Sequence, residues 1–204
     1  MTAAEAPQPT APARSDLLGQ EDVRDLVRRA YREIIGKPTA LEAVHRLYSA
    51  EQLAALPSGA IAQALGVGNP VRAAALRPGE VVIDLGCGGG IDTILAARAV
   101  GPRGKALGLD MLPEMLEVAS HNAAAHGVTN IEWLRGELEA IPLPEESVDV
   151  ALSNGVVNLS PRKSRVFAES FRVLRPGGRL VTADNFVDED LPPEILTNPA
   201  AWAG

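Results

Sequence analysis

The residues best suited to chemistry lie in segment 84–90 (DLGCGGG), which places a carboxylate beside alternating glycines where a strand should give way to a helix. Residues 81–83 are apolar and β-branched, which is typical of a buried parallel strand, and residues 91–100 have apolar side chains at helical spacing. Glycine lets the backbone turn sharply and approach a ligand without an intervening Cβ. The segment therefore predicts a ligand-binding loop.

The spacing of these glycines argues against a dinucleotide ligand. The dinucleotide fingerprint requires G-x-G-x-x-G/A, but its last place is Ile91 when counted from Gly86 and Thr93 when counted from Gly88. The aspartates that flank the glycines would also repel a pyrophosphate. A nicotinamide oxidoreductase is therefore disfavoured.

S-adenosylmethionine fits the loop better, because it carries no phosphate and its methionine end has an ammonium that a carboxylate can meet. The pattern D-x-G-x-G-x-G, made by Asp84, Gly86, Gly88 and Gly90, resembles the glycine motif of class I S-adenosylmethionine-dependent methyltransferases. The resemblance implies that these four residues bind S-adenosylmethionine as the cofactor.

A second acidic residue, Asp110, ends the predicted strand 105–109 and lies 20 residues after Gly90. At that separation a carboxylate can accept hydrogen bonds from ribose hydroxyls. Alternatively, Asp110 only caps the following helix, which has Pro113 near its first turn. We include Asp110 and its neighbour Met111 in the predicted cofactor site.

Two further segments follow later strands. Glu137 and Leu138 lie where methyltransferases often have an acidic residue beside the adenine, although Glu137 could equally be a solvated loop carboxylate. Asn154 and Asn158 come just after the fourth predicted strand, at the edge where open parallel sheets bind ligands. We expect Asn154 to contact cofactor or substrate, whereas Asn158 could instead satisfy backbone groups of a local turn.

The elements that position these residues alternate between strand and helix from residue 80 onward, which predicts an α/β fold. We expect a Rossmann-like class I methyltransferase fold, with a parallel sheet, helices on both faces and an N-terminal helical layer. The predicted strands are 81–85, 105–109, 130–134, 148–153 and 179–184, and the predicted helices of the core are 91–100, 113–126 and 162–174. The N-terminal layer is predicted to contain helices over 22–35 and 41–48, one from Ser49, and one from Asn69 and Pro70.

The sequence divides into four predicted regions: a disordered tail over 1–15, the helical layer over 16–77, the cofactor-binding core over 78–187, and the start of an incomplete C-terminal segment over 188–204. The resembled fold normally has seven strands, and the prolines at 192, 193 and 199 disfavour more strands here. We therefore expect a form truncated after the fifth strand, whose outer edge is open.

Composition limits the partners. The 204 residues are 46% apolar and carry 19 Lys and Arg against 26 Asp and Glu, a net charge of −7. This balance, without a long basic run, disfavours nucleic acid and anionic membranes and favours a small-molecule acceptor. The sequence shows no bilayer-length apolar run and no signal-peptide pattern in 1–15, so we expect a cytoplasmic protein. It does not specify an oligomeric state.

No metal site is predicted. The single cysteine, Cys87, excludes an internal disulfide and a CxxC site, and His45, His121 and His126 lack ligand spacing.

A closer resemblance covers residues 47–204, where an ordered series of motifs is similar to the arsenite methyltransferase family. The most specific motif is S-N-x-V-x-N-L-S. The matching segments are 48–49 (YS), 66–70 (GVGNP), 84–90 (DLGCGGG), 110–115 (DMLPEM), 136–142 (GELEAIP), 153–160 (SNGVVNLS) and 175–180 (RPGGRL).

The departures from that family concern its metalloid ligands. The resemblance implies cysteine thiolates for As(III), yet Val67 stands in the G-x-G-N-P turn and Gly155 in S-N-x-V, where the family typically has cysteine. Neither can ligate arsenic, and Cys87 fits a packing role inside the cofactor loop.

We therefore expect methyl transfer to a small-molecule acceptor by an arsenite methyltransferase-like enzyme. The alternatives are a quinone- or natural-product-type O/C-methyltransferase, arsenic delivered with outside thiols, and a cofactor-binding protein without turnover. Methyl transfer from a sulfonium needs alignment more than a protein nucleophile, so we assign no catalytic residue. If an acceptor requires a general base, the candidates are His45, Tyr48 and Asp184.

Overall fold

The fold is built on a five-stranded parallel sheet, in a computed structural model that describes residues 19–35, 37 and 41–186. The strands lie in the order β3-β2-β1-β4-β5, so the order reverses between β1 and β4. The strands are β1 (Val81–Leu85), β2 (Lys105–Asp110), β3 (Ile131–Arg135), β4 (Val148–Asn154) and β5 (Leu174–Ala183). Within this described part, the predicted fold and its five strands are confirmed.

The helices divide into an N-terminal group and a core group. The N-terminal helices are α1 (Gln20–Ile34), α2 (Leu41–Leu47), α3 (Ala50–Ala54), α4 (Ser58–Ala62) and α5 (Pro70–Ala74). The core helices are α6 (Ile91–Val100), α7 (Pro113–Ala125) and α8 (Lys163–Val173), with a 3₁₀ turn at Val157–Leu159. The structure also shows the capping box between Ser49 and Gln52 and the Asn69 cap of α5.

Alternating strand residues build a core on each face of the sheet. On one face Val82, Val150 and Leu152 pack with residues of α5 and α6. On the other face Ile83 and Leu85 pack with residues of β2, β4 and α8. Both of these β1 side chains are fully buried, and burial of each contributes about 1.5–3 kcal/mol. Because both faces are covered, the sequences of the central strands are nearly continuous apolar runs.

The largest boundary error lies at the start of the last strand, whereas other bounds, such as those of α1 and β3, differ from the prediction by one or two residues. We expected Arg175-Pro176-Gly177-Gly178 to be a turn before a strand over 179–184, but β5 already begins at Leu174. Leu174 pairs with Val148 and Arg179 pairs with Val150, so the residues between them form an irregularity inside the strand. Gly177 has a φ of 81°, which explains why this segment contains glycine.

Several expectations remain without a structural description. The predicted tail over 1–15 and the segment over 188–204 lie outside the described residues. The predicted domain boundaries therefore stay predictions. Among the described residues, no helix is both long and apolar enough to cross a membrane.

Candidate cofactor cleft

A cleft opens at the carboxyl ends of the strands, where the strand order reverses between β1 and β4. In open parallel sheets this is the position at which ligands bind. The loop after β1 forms its floor, and residues of α1 and of the segment before α5 form part of its walls. The sequence-predicted residues that line it are Asp84, Gly86, Gly88, Asp110, Met111, Glu137, Leu138 and Asn154.

The glycines of the loop play different roles. Gly86 has a φ of 72°, and a Cβ there would lie 2.6 Å from Cγ1 of Val156. A Cβ on Gly88, with a φ of 49°, would meet no protein atom within 4 Å. Gly86 therefore permits close packing of protein against the loop, whereas Gly88 leaves open space that a ligand can occupy.

Gly90 is the predicted site residue that does not line the cleft. It caps the amino end of α6 with a φ of 88°, and its Cα faces Ala119 of α7 and Trp133 of β3. A Cβ would lie 3.1 Å from the Ala119 Cβ. Its position fits the third glycine of such loops, which allows the helix and strand to pack closely.

Asp84 is 3% exposed and accepts a hydrogen bond from the Thr93 hydroxyl at 2.6 Å. Burial, together with the neighbouring carboxylate of Asp92, raises the pKa of Asp84 to about 8. The end of β1 thus places Asp84 at the cleft. Ionisation of this buried carboxyl group costs free energy unless a cation lies beside it.

Asp92 is the second buried acid, 5% exposed, in the first turn of α6. Its carboxylate accepts hydrogen bonds from the Tyr48 hydroxyl at 2.9 Å and from Asn154 Nδ2 at 2.8 Å. Burial raises the pKa of Asp92 to about 6, although both hydrogen bonds act to lower it. Burial and the charge of Asp92 also raise the pKa of Tyr48 far above its ordinary value.

Asn154 joins three parts of the site. Its Oδ1 accepts hydrogen bonds from the backbone N–H groups of Val67 and Gly68, at 2.8 and 3.0 Å. Its Nδ2 lies within hydrogen-bonding distance of the Gly68 carbonyl as well as Asp92 and Tyr48. Asn154 therefore fixes the turn before α5 against the end of β4.

Asp110 orders the cleft from the end of β2. Its carboxylate accepts hydrogen bonds from the N–H of Gly88 at 3.1 Å and the N–H of Leu112 at 2.9 Å. Burial raises the pKa of Asp110. An ionised carboxylate offers about four acceptor sites in all, so capping the helix and accepting from a ribose hydroxyl are compatible.

Glu137 has a partner that sequence reasoning missed. Arg28 of α1 donates a hydrogen bond from Nη2 to Glu137 Oε1 at 2.7 Å, and Arg24 lies 3.7 Å from both Glu137 and Glu139. The pairing joins residues 109 apart in sequence, so no local pattern signals it. The apolar face of α1 was the one sequence signal that this helix packs against the core, and its Val27 and Tyr31 line the cleft.

The three candidates for a general base differ in their position relative to the cleft. Tyr48 lines the cleft and is buried, while His45 is exposed on α2. Asp184 accepts a hydrogen bond from the Asn158 N–H, which fits the local-turn interpretation of Asn158. Neither His45, Asp184 nor Asn158 is among the described residues that line the cleft.

These residues fit S-adenosylmethionine. The open side of Gly88 gives a ligand access to the backbone, and the two buried acids supply negative charge for a sulfonium and an ammonium. The same acids would repel a polyphosphate electrostatically.

Known proteins resemble this chain in sequence and structure. An arsenite methyltransferase from Halobacterium salinarum is 45% identical over 157 residues, covering 77% of this chain and 40% of the relative. A demethylmenaquinone methyltransferase from Lactococcus lactis is 40% identical over 103 residues, covering 50% of this chain and 41% of the relative. The chain thus spans less than half the length of these curated relatives.

A solved structure extends the likeness to the fold. The crystal structure of an arsenic(III) S-adenosylmethionine methyltransferase from Chlamydomonas reinhardtii matches with a TM-score of 0.67 and 36% identity, over 81% of this chain and 55% of that chain. The predicted resemblance to class I, arsenite methyltransferase-like proteins is confirmed by these matches. Since the methyltransferase domain family matches residues 76–204, which is more than half of the sequence, this chain belongs to that family.

Proposed function

We propose that this chain binds S-adenosylmethionine in the cleft at the β1–β4 switch point and transfers its methyl group to a small-molecule acceptor, as an arsenite methyltransferase-like enzyme. The observation that carries the proposal is the pairing of Gly88, open toward the cleft, with the buried carboxylates of Asp84 and Asp92. The acidic side chains among the described lining residues disfavour a phosphate at that loop, whereas a cationic amino-acid end complements them.

Each cleft residue then has a role. Asp84 and Asp92 would hold the cationic end, Asp110 would accept from the ribose, and the segment with Glu137 and Leu138 would border the adenine. S-adenosylmethionine supplies a methyl group already activated on sulfur. Its C–S bond would break with the electron pair left on sulfur as a neutral thioether, and a lone pair of the acceptor would form the new bond to the methyl carbon. An acceptor atom that carries a proton would lose it after transfer. The chain contributes alignment and exclusion of water.

The same proposal extends to partners and location. A net charge of −7 supports a small organic acceptor in preference to nucleic acid. The single cysteine is compatible with a reducing compartment, and we propose the cytoplasm.

A thermal-shift titration with S-adenosylmethionine and with its demethylated product tests the cofactor assignment. A ligand at 100 times its dissociation constant stabilises the native state by about 2.7 kcal/mol. For a protein of this size that corresponds to roughly 5–10 °C in Tm. No shift at millimolar ligand, together with tight NADH binding, would count against the proposal.

A matched pair of glycine variants locates the binding site. Gly88 and Gly127 both have positive φ, 49° and 63°, and a Cβ on either meets nothing within 4 Å. Alanine therefore costs a similar backbone strain of about 1–2 kcal/mol at both positions. We expect Gly88→Ala to weaken S-adenosylmethionine binding about tenfold or more, and Gly127→Ala to leave it unchanged. Equal effects would place the cofactor elsewhere.

A further inference from the structure

An asparagine occupies a buried position inside α7. Four residues of this helix are buried, and Asn122 is the polar one among them, with 4% of its surface exposed. Asparagine has a lower helix propensity than alanine, because its side chain competes with the backbone for hydrogen bonds. A buried amide also costs free energy unless its polar atoms have partners. The helix itself therefore does not explain Asn122, and a contact outside α7 must do so.

That contact is with the loop over 86–90, which we call the cofactor loop. Asn122 Nδ2 donates a hydrogen bond to the carbonyl oxygen of Gly89 at 2.9 Å, and the two residues are 33 apart in the sequence. Gly89 lies between Gly88, which is open toward the cleft, and Gly90, which caps α6. The amide thus holds the loop at the residue that joins its open part to the helix.

Other bonds fix the first half of the cofactor loop to the end of β2. The N–H of Gly86 donates to the Leu109 carbonyl oxygen at 2.8 Å. The N–H of Gly88 donates to the Asp110 carboxylate at 3.1 Å. The loop is therefore held by two elements, by β2 through its first half and by α7 through Gly89.

A glycine of α4 makes room for the amide. A Cβ on Gly59 would lie 2.4 Å from Asn122 Oδ1, which is far inside van der Waals contact. Gly59 lies within the helix, where glycine is less favourable than alanine. The close approach of Asn122 therefore explains the glycine at this position.

The same short helix also packs against the loop directly. Gln63, the C-cap residue of α4, is 8% exposed, and a Cβ on Gly89 would lie 2.7 Å from the Gln63 Cβ. The Gln63 side chain is fixed in turn, because its Nε2 donates to the Lys37 carbonyl oxygen at 2.8 Å. Thus α4 packs against both partners of the hydrogen bond between Asn122 and Gly89.

We propose that Asn122 is a positioning residue for the cofactor, which acts through Gly89 and is itself held in place by α4. The inference rests on the proposed function, since it concerns the loop that this function uses. Asn122 is not among the described residues that line the cleft, so its effect on the ligand is indirect. A ligand that meets a loop already in its binding conformation loses less free energy to ordering than one that must order it.

Hydrogen exchange of the ligand-free chain tests the positioning role without any activity measurement. We expect Asn122→Ala to speed exchange of the amides in segment 86–90 about fivefold to tenfold, which corresponds to the loss of one hydrogen bond. This exchange should depend little on urea below the unfolding transition, because a local opening exposes little surface.

Asn130→Ala is the matched control. Asn130 Nδ2 bonds to the carbonyl oxygens of Ala97, Gly101 and Gly104, far from the cofactor loop along the sheet. This variant should speed exchange in segment 101–104 and leave segment 86–90 at the native rate. Native exchange of segment 86–90 in Asn122→Ala, or equal exchange of that segment in both variants, would overturn the inference.

Calorimetric titration with the demethylated cofactor product gives a second readout. Asn122→Ala should bind this product about tenfold more weakly than the native chain, and Asn130→Ala should bind it with native affinity. An equal loss of affinity in both variants would show a general structural role and overturn the inference.

Gly59→Ala provides a milder variant and a test of coupling. Alone, it should displace the amide and reproduce both effects, although alanine is otherwise the better helix former. In the Asn122→Ala background the oxygen that the new Cβ would meet is gone, so Gly59→Ala should add nothing further. Effects of Gly59→Ala that persist in that background would overturn the role of α4.

These measurements separate the inference from the function on which it rests. If the native chain fails to bind the cofactor product although segment 86–90 exchanges faster in Asn122→Ala, the proposed function is overturned and the hold of Asn122 on the loop is supported. If the native chain binds the product and Asn122→Ala binds it equally well, the positioning role alone is overturned.

Discussion

At the scale of residues, the buried acids Asp84 and Asp92 govern how stability responds to pH. Their pKa values in the folded chain, about 8 and about 6, lie above the value of about 3.9 expected for an unfolded aspartate. The unfolded chain therefore binds fewer protons between these limits. Stability from these groups is complete at low pH and is lost as pH rises through the folded values.

We predict that the free energy of unfolding of the ligand-free chain falls between pH 5 and pH 8, by an amount of the order of 1–3 kcal/mol. Denaturant titrations at pH 5, 6.5 and 8 measure it. Asp84→Asn removes one titrating group, keeps the shape, and should flatten the profile. A native stability that increases over this range would contradict the assignment of both raised pKa values.

Asn154 gives a second prediction at this scale. Asn154→Ala removes the clamp on the turn before α5, takes one hydrogen bond from the buried carboxylate of Asp92, and releases the N–H groups of Val67 and Gly68. We expect a loss of about 2–4 kcal/mol in unfolding free energy together with weaker cofactor binding.

Asn130→Ala is the matched control for that change. Asn130 Nδ2 bridges the carbonyl oxygens of Ala97, Gly101 and Gly104 at the opposite end of the sheet. This variant should lose stability in chemical denaturation but keep native cofactor affinity in calorimetry. If both variants lose affinity equally, Asn154 has only a general structural role.

At the scale of elements, α1 closes the cleft from outside the sheet. Its Arg28–Glu137 bond and the contact between Arg32 and Glu114 join it to the core. Both pairs are at least partly exposed, so each contributes only about 0–1 kcal/mol and is screened by salt. These two ion pairs are therefore weak and adjustable, while the buried side chains of Val23 and Val27 supply the apolar packing of the helix.

We predict that Arg28→Ala weakens cofactor affinity about two- to fivefold and reduces its dependence on salt. Calorimetry at 0.05 and 0.5 M NaCl measures both effects. Arg46→Ala breaks the fully exposed pair with Glu42 on α2 and should have no effect. An unchanged affinity in Arg28→Ala would mean that α1 does not help to retain the ligand.

Some elements were predictable from the sequence and others were not. The bounds of β1 and α6 follow from a buried apolar run and helical spacing, and both were predicted to the residue. The short helix Ser58–Ala62 and the early start of β5 were missed, because tertiary pairing overrides weak local signals there. The cleft loop was predictable from its glycines, but the contacts of α1 and the Asn154 clamp depend on long-range packing.

At the scale of the whole molecule, the sheet order concentrates the functional side chains at one edge. The ends of β1, β2 and β4 bring together Asp84, Asp110 and Asn154, which are separated by up to 70 residues in sequence. Predicting this convergence required only the alternation of strands and helices.

The sole sulfhydryl of the chain can serve as an internal reporter of ligand binding in the cleft. Cys87 is 8% exposed, lines the cleft, and has its pKa raised well above the usual range by burial and the charges of Asp84 and Asp110. Iodoacetamide should therefore alkylate it slowly and only when the cleft opens. We predict that S-adenosylmethionine slows this labelling at least severalfold, as followed by mass spectrometry, so one chemical tag would report occupancy without any engineered probe.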